Sequence, residues 1–276
     1  MENIFLGNGS DEAIDLMFRI FCTPGKDNAV AIVPSYGMYA VAADINDVQM
    51  RGVALGPDFS LPVEELLKAA DERTKLLFLC SPNNPSGNAF EATEILELVD
   101  RFPGIVVLDE AYADFSAKGS LRYQIAQRPN LVILQTFSKA YGMAGLRIGM
   151  AFANAYIIDL MNRVKYPYNI SQATLDAALK ALDEPVLARV AQIVVQRTRL
   201  AGALLRFPFV KKVWPSDANF LLVHVYNPDR LYQHLLADGI IVRNRSRVTG
   251  CAGCLRFTVG TPAENDNLLK SLASYE

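Results

Sequence analysis

The residues that decide this fold lie in Thr136-Phe137-Ser138-Lys139-Ala140-Tyr141-Gly142-Met143-Ala144-Gly145-Leu146-Arg147-Ile148-Gly149. This stretch follows an apolar run, residues 131–134, which predicts a buried strand. A lysine just beyond a buried strand can act as a nucleophile, because burial or a nearby cation lowers its pKa and frees the amine. Taken alone, a Ser-Lys pair such as Ser138-Lys139 is more typical of an ordinary surface lysine, so a catalytic role depends on other residues of the chain.

The composition indicates a globular protein with a sizeable core. The chain has 276 residues, of which 51% are hydrophobic and 20% charged, enough for one large or two modest domains. The net charge of −2 gives no electrostatic reason to expect nucleic acid or an anionic membrane as a partner. No apolar run reaches the roughly 20 residues of a membrane span. Because residues 1–5 lack the features of a signal peptide, we expect a cytoplasmic location.

The first part of the chain alternates strands and helices. Apolar runs predict strands at residues 29–33, 76–80, 105–108 and 131–134, residues 48–53 are a further strand candidate, and helices are predicted at 61–70 and 91–100. This alternation predicts an α/β fold with a mostly parallel sheet covered by helices on both faces. Asn84, Asp109, Tyr112 and Lys139 each follow a predicted strand, and ligands of such sheets bind where the strands end. We therefore expect these four side chains to converge.

The pattern changes near Tyr166-Pro167-Tyr168-Asn169. Two helices follow, of which the second is long (185–206), and then strands at 218–223, 240–243 and 254–259 with helices at 228–238 and 262–273. We predict a large cofactor-binding domain, residues 1–168, and a smaller α+β domain, residues 169–276, that includes the long connecting helix.

The chemistry of the predicted strand ends points to one cofactor. A carboxylate at the end of a buried strand, Asp109, is costly without a cation, and a protonated pyridine nitrogen would supply one. Tyr112 and Asn84 could hydrogen-bond a phenolate oxygen, Lys139 could form an imine, and Tyr36 could stack on a flat ring.

A phosphate could be held by residues from two other parts of the chain. Ser138 and Arg147 offer a hydroxyl and a guanidinium fork, and Gly9-Ser10-Asp11 opens a predicted helix whose free N–H groups attract anions. That helix start could also be merely a cap. Imine, pyridinium, phenolate and phosphate together describe pyridoxal 5′-phosphate. Cys251-Ala-Gly-Cys254 alone is weak evidence for zinc or redox chemistry, so we expect a turn before a strand there and no metal site.

The chain resembles the fold-type-I aminotransferases, which depend on pyridoxal phosphate. Three motifs stand in that family's order: Ser81-Pro82-Asn83-Asn84-Pro85-Ser86-Gly87, Asp109-Glu110-Ala111-Tyr112, and Ser138-Lys139 with Arg147-Ile148-Gly149. More narrowly, the chain is similar to the histidinol-phosphate aminotransferases. That likeness rests on Gly9-Ser10-Asp11-Glu12, Pro34-Ser35-Tyr36-Gly37-Met38-Tyr39, Cys254-Leu255-Arg256-Phe257-Thr258-Val259-Gly260-Thr261, and the pair Arg243 and Arg256.

The resemblance implies a role for each residue of the site. Lys139 would carry the Schiff base and then move a proton, and Asp109 would keep the ring nitrogen protonated. Tyr112 and Asn84 would hydrogen-bond the ring oxygen. Arg256, Arg243 and Asn84 would bind substrate, with the two guanidiniums suited to a phosphate dianion. From the residues alone, the basic run 243–247 favours a solvated charge at Arg243.

The resemblance also implies a reaction: transamination between L-histidinol phosphate and 2-oxoglutarate in histidine biosynthesis. Three alternatives stay open: an aromatic-amino-acid aminotransferase, a threonine-phosphate decarboxylase, and a truncated binding protein with little turnover. Because the likeness starts at the family's first cofactor-domain helix, we expect the N-terminal segment of the family to be absent. We further expect a homodimer in which each site is incomplete.

Overall fold

The computed structural model describes residues 2–182 and 185–275. In this part of the chain, eleven strands form two sheets: β1 (Ile4–Asn8), β2 (Asn28–Val33), β3 (Gln49–Ala54), β4 (Thr74–Cys80), β5 (Ile105–Asp109), β6 (Leu131–Thr136), β7 (Ile148–Phe152), β8 (Val210–Val213), β9 (Phe220–Val225), β10 (Arg243–Asn244) and β11 (Cys254–Thr258). The helices are α1 (Ser10–Phe21), α2 (Met38–Ile45), α3 (Val63–Lys68), α4 (Ala92–Arg101), α5 (Ala155–Val164), α6 (Gln172–Leu182), α7 (Val186–Leu204), α8 (Pro228–Ala237) and α9 (Pro262–Ala273).

The larger sheet has the strand order β1-β7-β6-β5-β4-β2-β3. The pairs from β6 through β5, β4 and β2 to β3 are parallel, whereas β7 runs antiparallel to both β6 and β1. Helices α1, α2 and α5 pack on one face, and α3 and α4 pack on the other. The predicted mostly parallel sheet covered on both faces is therefore confirmed.

The smaller sheet has the order β10-β11-β9-β8 and is antiparallel throughout. Apolar residues of β9 and β11 face a core closed by α7, α8 and α9, which gives the predicted α+β unit. A second cluster, around Tyr112, Val190 and Phe220, joins α7 and β9 to the loops of the larger sheet. The boundary at 168/169 stays a prediction; Ala178 of α6 packs on Phe137 and Ile148 beside the larger sheet.

Several sequence-based assignments were wrong or incomplete. The predicted strand 240–243 forms only at Arg243–Asn244, because Ile240 N donates to Leu235 O and so closes α8. Residues 4–8, for which the sequence predicted no strand, form the edge strand β1. Strands β7 and β8 were not predicted. None of the helices in the described part of the chain is long and apolar enough to cross a membrane.

Gly149 allows β7 to approach the start of α1. A Cβ atom at this position would lie 2.2 Å from Ser10 N and 2.3 Å from the carbonyl carbon of Gly9. Since both neighbours are backbone atoms, they cannot move aside without shifting β1 or α1. The same glycine therefore fixes the distance between the Lys139 segment and the helix start that we predicted to bind phosphate.

We expect Gly149→Ala to lower the free energy of unfolding by about 1–3 kcal/mol, the usual cost of forcing an extra methyl group into a packed site. Urea unfolding measures this difference. Gly145→Ala is the matched control, because in the described residues nothing beyond its own local backbone lies within 4 Å of the added Cβ. Equal losses in the two variants would contradict the proposed close approach.

Candidate active site

One pocket lies where β4, β5 and β6 end, and it collects the predicted cofactor residues. These strands are neighbours in the sheet, so the residues that follow them share one edge. Gly9 lies beside the pocket in contact with Arg147. The lining consists of Ser10, Asp11, Tyr36, Cys80, Asn84, Asp109, Ala111, Tyr112, Thr136, Ser138, Lys139, Ala144 and Arg147.

Asp109 lies in the pocket with only neutral hydrogen-bond donors. Its side chain is 2% exposed, and its carboxylate accepts bonds from the Tyr39 hydroxyl at 2.8 Å and from the Ala111 N–H at 3.0 Å. Within residues 2–182 and 185–275, no lysine or arginine forms an ion pair with it. Burial raises the pKa of Asp109. A cationic group in the pocket would offset that cost, as we expected from the sequence.

Lys139 supplies an amine with a lowered pKa. It begins the turn after β6, where Gly142 N donates to Lys139 O at 3.0 Å. Its Nζ lies 5.5 Å from the centre of the Tyr112 ring. Burial, with the charge of Arg256 next in importance, lowers the pKa of Lys139. A larger fraction of the amine is therefore neutral and nucleophilic than for a solvated lysine.

Tyr112 and Asn84 present hydrogen-bond donors to the same pocket. Burial raises the pKa of Tyr112 to about 12, so its hydroxyl keeps the proton at neutral pH. The ring is held edge-to-face against Phe220 at 5.2 Å between ring centres. Asn84 Oδ1 accepts from Arg256 Nη1 at 2.6 Å. Because arginine can only donate, this bond fixes the amide and leaves Asn84 Nδ2 as a donor.

The start of α1 and Arg147 form the predicted anion site. Gly9 has a φ of +79°, and a Cβ there would lie 2.5 Å from Arg147 Nη2, so glycine makes room for the guanidinium. Asp11 Oδ2 accepts from Arg147 Nη2 at 3.3 Å, and Asp11 Oδ1 accepts from the Tyr36 hydroxyl at 3.0 Å. The Asp11 carboxylate therefore positions two of the pocket's side chains, while the helix N–H groups and Ser138 stay available for a phosphate.

The structure separates the two arginines that we predicted to bind substrate. Arg256 donates a hydrogen bond to Asn84, which lines the pocket, and its guanidinium lies 4.7 Å from the Phe220 ring centre. Burial lowers the pKa of Arg256, and the charges of Arg245 and Arg243 lower it further. Arg243 lies directly opposite Arg256 in the β10–β11 register, but its side chain is exposed and does not line the pocket.

Sequence reasoning missed Tyr39, which supports Asp109, and the lining residues Cys80, Ala111, Thr136 and Ala144. Tyr39 is 70 positions from Asp109 in the chain, so their hydrogen bond left no local signal. Thr136 ends β6, and its Oγ1 donates to Ser138 Oγ at 3.0 Å. The turn predicted at Cys251-Ala-Gly-Cys254 is confirmed: Cys254 N donates to Cys251 O at 2.9 Å, and Cys254 begins β11.

The Tyr39 hydroxyl donates a hydrogen bond to Asp109. Removing that hydroxyl should lower the free energy of unfolding by an amount that depends on pH. Because the pKa of Asp109 is raised in the folded chain, this carboxyl costs stability as the pH rises above its usual value of 3.8. The bond from Tyr39 offsets part of that cost once Asp109 ionises. We therefore expect Tyr39→Phe to destabilise the cofactor-free protein by about 1.5–3 kcal/mol at high pH and by less at low pH.

Urea unfolding across the pH range checks this expectation. Tyr156→Phe is the control, because the Tyr156 side chain is 71% exposed and its variant should match the wild type at every pH. A Tyr39→Phe penalty that stays constant with pH would show that the hydroxyl does not act through the Asp109 charge.

The pocket fits pyridoxal 5′-phosphate, the cofactor expected from the sequence. Asp109 is a buried carboxylate without a cationic partner, and a protonated pyridine nitrogen needs such a carboxylate beside it. Lys139 offers a nucleophilic amine on the next strand end, and Tyr112 and Asn84 offer donors for a phenolate. The missing Cβ of Gly9 opens a cradle beside Arg147 in which a phosphate can be held.

Comparison with known proteins agrees with this geometry. The model of the family described as aminotransferase class I and II matches residues 1–272. A histidinol-phosphate aminotransferase of Parabacteroides distasonis is 53% identical over 98% of this chain and 79% of its own length. One of Bacteroides fragilis is 51% identical over 99% of this chain and 80% of its own length.

Solved structures show the same fold. The histidinol-phosphate aminotransferase of Clostridium acetobutylicum superimposes with a TM-score of 0.89 at 24% identity, over 98% of this chain and 82% of the other. The histidinol-phosphate aminotransferase of Sinorhizobium meliloti, solved in complex with pyridoxal 5′-phosphate, superimposes with a TM-score of 0.88 at 24% identity. The match covers 99% of this chain and 77% of the other. The L-threonine-O-3-phosphate decarboxylase of Porphyromonas gingivalis superimposes with a TM-score of 0.83 at 26% identity, over 99% of this chain and 83% of the other.

Proposed function

The chain belongs to the aminotransferase class I and II family, and from that premise we propose that it transfers the amino group of L-histidinol phosphate to 2-oxoglutarate. The products in that direction are imidazole-acetol phosphate and glutamate, and the reverse direction, which forms L-histidinol phosphate, serves histidine biosynthesis. The observation that carries the chemistry is the meeting of the Lys139 amine and the buried Asp109 carboxylate in one pocket. The choice of substrate rests on the curated relatives, which carry that name.

Pyridoxal 5′-phosphate, when bound, supplies an electron sink for the electron pair left on the substrate Cα. We propose that Asp109 holds the proton on the ring nitrogen and that Tyr112 and Asn84 donate hydrogen bonds to the ring oxygen. The N–H groups at Gly9, Ser10 and Asp11, with Ser138 and Arg147, would hold the phosphate.

Lys139 has two tasks in this proposal. Its Nζ anchors the cofactor, and it later takes the proton from the substrate Cα as a general base. The lowered pKa of Lys139 supports both tasks, because each needs the neutral amine. Tyr36 covers the pocket from the side of α2, held by its bond to Asp11. Arg256, fixed by Asn84, would bind an anionic group of the substrate.

A substrate panel tests the proposed reaction. The protein loaded with pyridoxal phosphate is given 2-oxoglutarate and one amine at a time: histidinol phosphate, phenylalanine, tyrosine or threonine phosphate. We expect glutamate to form with the highest kcat/KM from histidinol phosphate. A higher kcat/KM for an aromatic amino acid, carbon dioxide from threonine phosphate, or cofactor binding without any transfer would overturn the proposal in favour of the corresponding alternative.

We also propose that the protein works as a homodimer. Edge strand β1 exposes Ile4 and Leu6, at 43% and 42%, and the nearby Tyr166 and Tyr168 are 69% and 96% exposed. Asn169 Nδ2 donates to Leu6 O, so both exposed groups belong to one surface. Sedimentation equilibrium is expected to give twice the chain mass; a monomer at micromolar concentration would contradict this. A location in the cytoplasm stays a prediction.

A further inference from the structure

The loop between β4 and α4, residues 81–91, carries Asn84 into the pocket and is also held by the smaller unit. Gly87 O accepts a hydrogen bond from Asp217 N at 2.7 Å, and Asp217 Oδ2 accepts one from Ala89 N at 3.0 Å. Asp217 precedes β9 of the smaller sheet and is 128 positions from Ala89 in the chain. One aspartate therefore binds the backbone of this loop twice, once through its own N–H and once through its carboxylate.

The contact between the loop and the smaller unit is closely packed and requires glycine at position 87. Gly87 has a φ of +89°, and a Cβ atom there would lie 2.6 Å from Ser216 Oγ and 2.9 Å from Ser216 Cβ. Ser216 Oγ is itself fixed, because it donates to Phe220 O at 2.6 Å and accepts from Ala218 N at 3.1 Å. The segment 216–218 is therefore held in one conformation against the loop.

The hold on Gly87 reaches Asn84 through a short turn. Gly87 N donates to Asn83 O at 2.7 Å, and Asn84 is the next residue in the chain. Asn84 Oδ1 accepts from Arg256 Nη1 at 2.6 Å, and Arg256 lies on β11, which pairs with β9. The smaller sheet thus holds this loop at two points, with Arg256 at Asn84 and Asp217 at the far side of the turn.

A separate set of hydrogen bonds attaches the loop to the larger sheet. The Asn83 side chain is fully buried, and its Nδ2 donates to Pro34 O at 3.0 Å and to Ser86 Oγ at 2.8 Å. These bonds do not involve Asp217, so they keep the loop folded when the Asp217 carboxylate is removed. Loss of that carboxylate should therefore shift the loop rather than unfold it.

We propose that Asp217 is a positioning residue of the active site, which fixes Asn84 where its amide can donate to the ring oxygen of the cofactor. The inference rests on the proposed function, in which Asn84 Nδ2 makes that bond. Asp217 is not among the residues that line the pocket, so it acts through the loop alone. A displacement of about 1 Å in a reacting group can lower a rate by up to about a hundredfold, so a remote hydrogen bond can control this position.

The test compares Asp217→Ala, Asn84→Ala and the double variant, each loaded with pyridoxal phosphate. We expect Asp217→Ala to lower kcat/KM for histidinol phosphate by roughly tenfold to a hundredfold. In the Asn84→Ala background the same change should cost less than about threefold, because residues that act as one unit are not additive. An equal factor in the two backgrounds would mark Asp217 as structural and overturn the proposal.

Two further variants show whether the bond to the loop, rather than the stability of the smaller unit, is responsible. Asp217→Asn keeps an acceptor for the Ala89 N–H and should recover most of the wild-type kcat/KM. Asp266→Ala is the control, because it removes a carboxylate that is paired with Arg199 inside the smaller unit, and it should leave kcat/KM unchanged. A loss in Asp266→Ala as large as that in Asp217→Ala would contradict a specific role of Asp217.

The absorbance of the bound cofactor gives a readout that does not depend on turnover. A donor at the ring oxygen makes the neighbouring nitrogen, which joins Lys139 to the cofactor, a weaker base, so Asn84→Ala should raise the pKa of that nitrogen. Asp217→Ala should raise this pKa by a smaller amount. A raised pKa in Asn84→Ala with the wild-type pKa in Asp217→Ala would overturn the assignment. If histidinol phosphate is not a substrate of the wild type, the proposed function fails, and this titration still decides whether Asp217 positions Asn84.

Discussion

Replacing Lys139 by alanine is expected to lower the rate of transamination by at least roughly 10⁴-fold. The variant loses both the amine that anchors the cofactor and the base that accepts the proton from the substrate Cα. Among the described residues, Lys139 is the one lysine that lines the pocket, so no other lysine there can take over either task. Steady-state assays with histidinol phosphate and 2-oxoglutarate measure the loss.

A matched control separates this effect from general damage. Lys68→Ala removes an exposed lysine from the end of α3, away from the pocket, and should leave the rate unchanged. Lys139→Ala should unfold at a temperature close to that of the wild type, because its half-buried side chain forms no hydrogen bond in the described residues. Residual activity above a hundredth of the wild-type rate would contradict the role of Lys139.

Replacing Asp109 by asparagine should lower the rate by at least roughly a hundredfold, the scale of losing one proton-transfer group. The amide can still hydrogen-bond the ring, but it carries no charge to keep the ring nitrogen protonated. The substitution also removes a buried carboxyl whose pKa is raised, so the variant should be as stable as the wild type or more so at neutral pH.

Two measurements distinguish a catalytic effect of Asp109→Asn from a structural one. Cofactor affinity, measured by titration of absorbance, should fall much less than the rate. Asp114→Asn, an exposed change five residues along the chain, should alter neither quantity. A near wild-type rate for Asp109→Asn would show that the carboxylate is not the partner of the ring nitrogen.

The convergence of the site residues could be predicted from sequence because it follows from topology. Asn84, Asp109 and Lys139 each come just after an apolar strand, and parallel neighbouring strands bring such positions to one edge. The same reasoning could not find Tyr39, whose hydroxyl reaches Asp109 from α2 across a long separation in sequence. Contacts of this kind depend on how α2 packs on the sheet.

The antiparallel strands β1 and β7 could not be predicted for a related reason. Strand β1 contains Gly7 and Asn8, residues typical of loops, and is stabilised by pairing with β7 rather than by its own propensity. Strand β7 contains Gly149, whose role is the close approach to Gly9 and Ser10.

The most direct test of the whole account is to identify the lysine that binds the cofactor. The protein loaded with pyridoxal phosphate is reduced with borohydride, digested, and mapped by mass spectrometry. The account predicts a pyridoxyl phosphate group on the peptide that contains Lys139 and on no other peptide. A stoichiometric modification at any other lysine, with Lys139 unmodified, would contradict it.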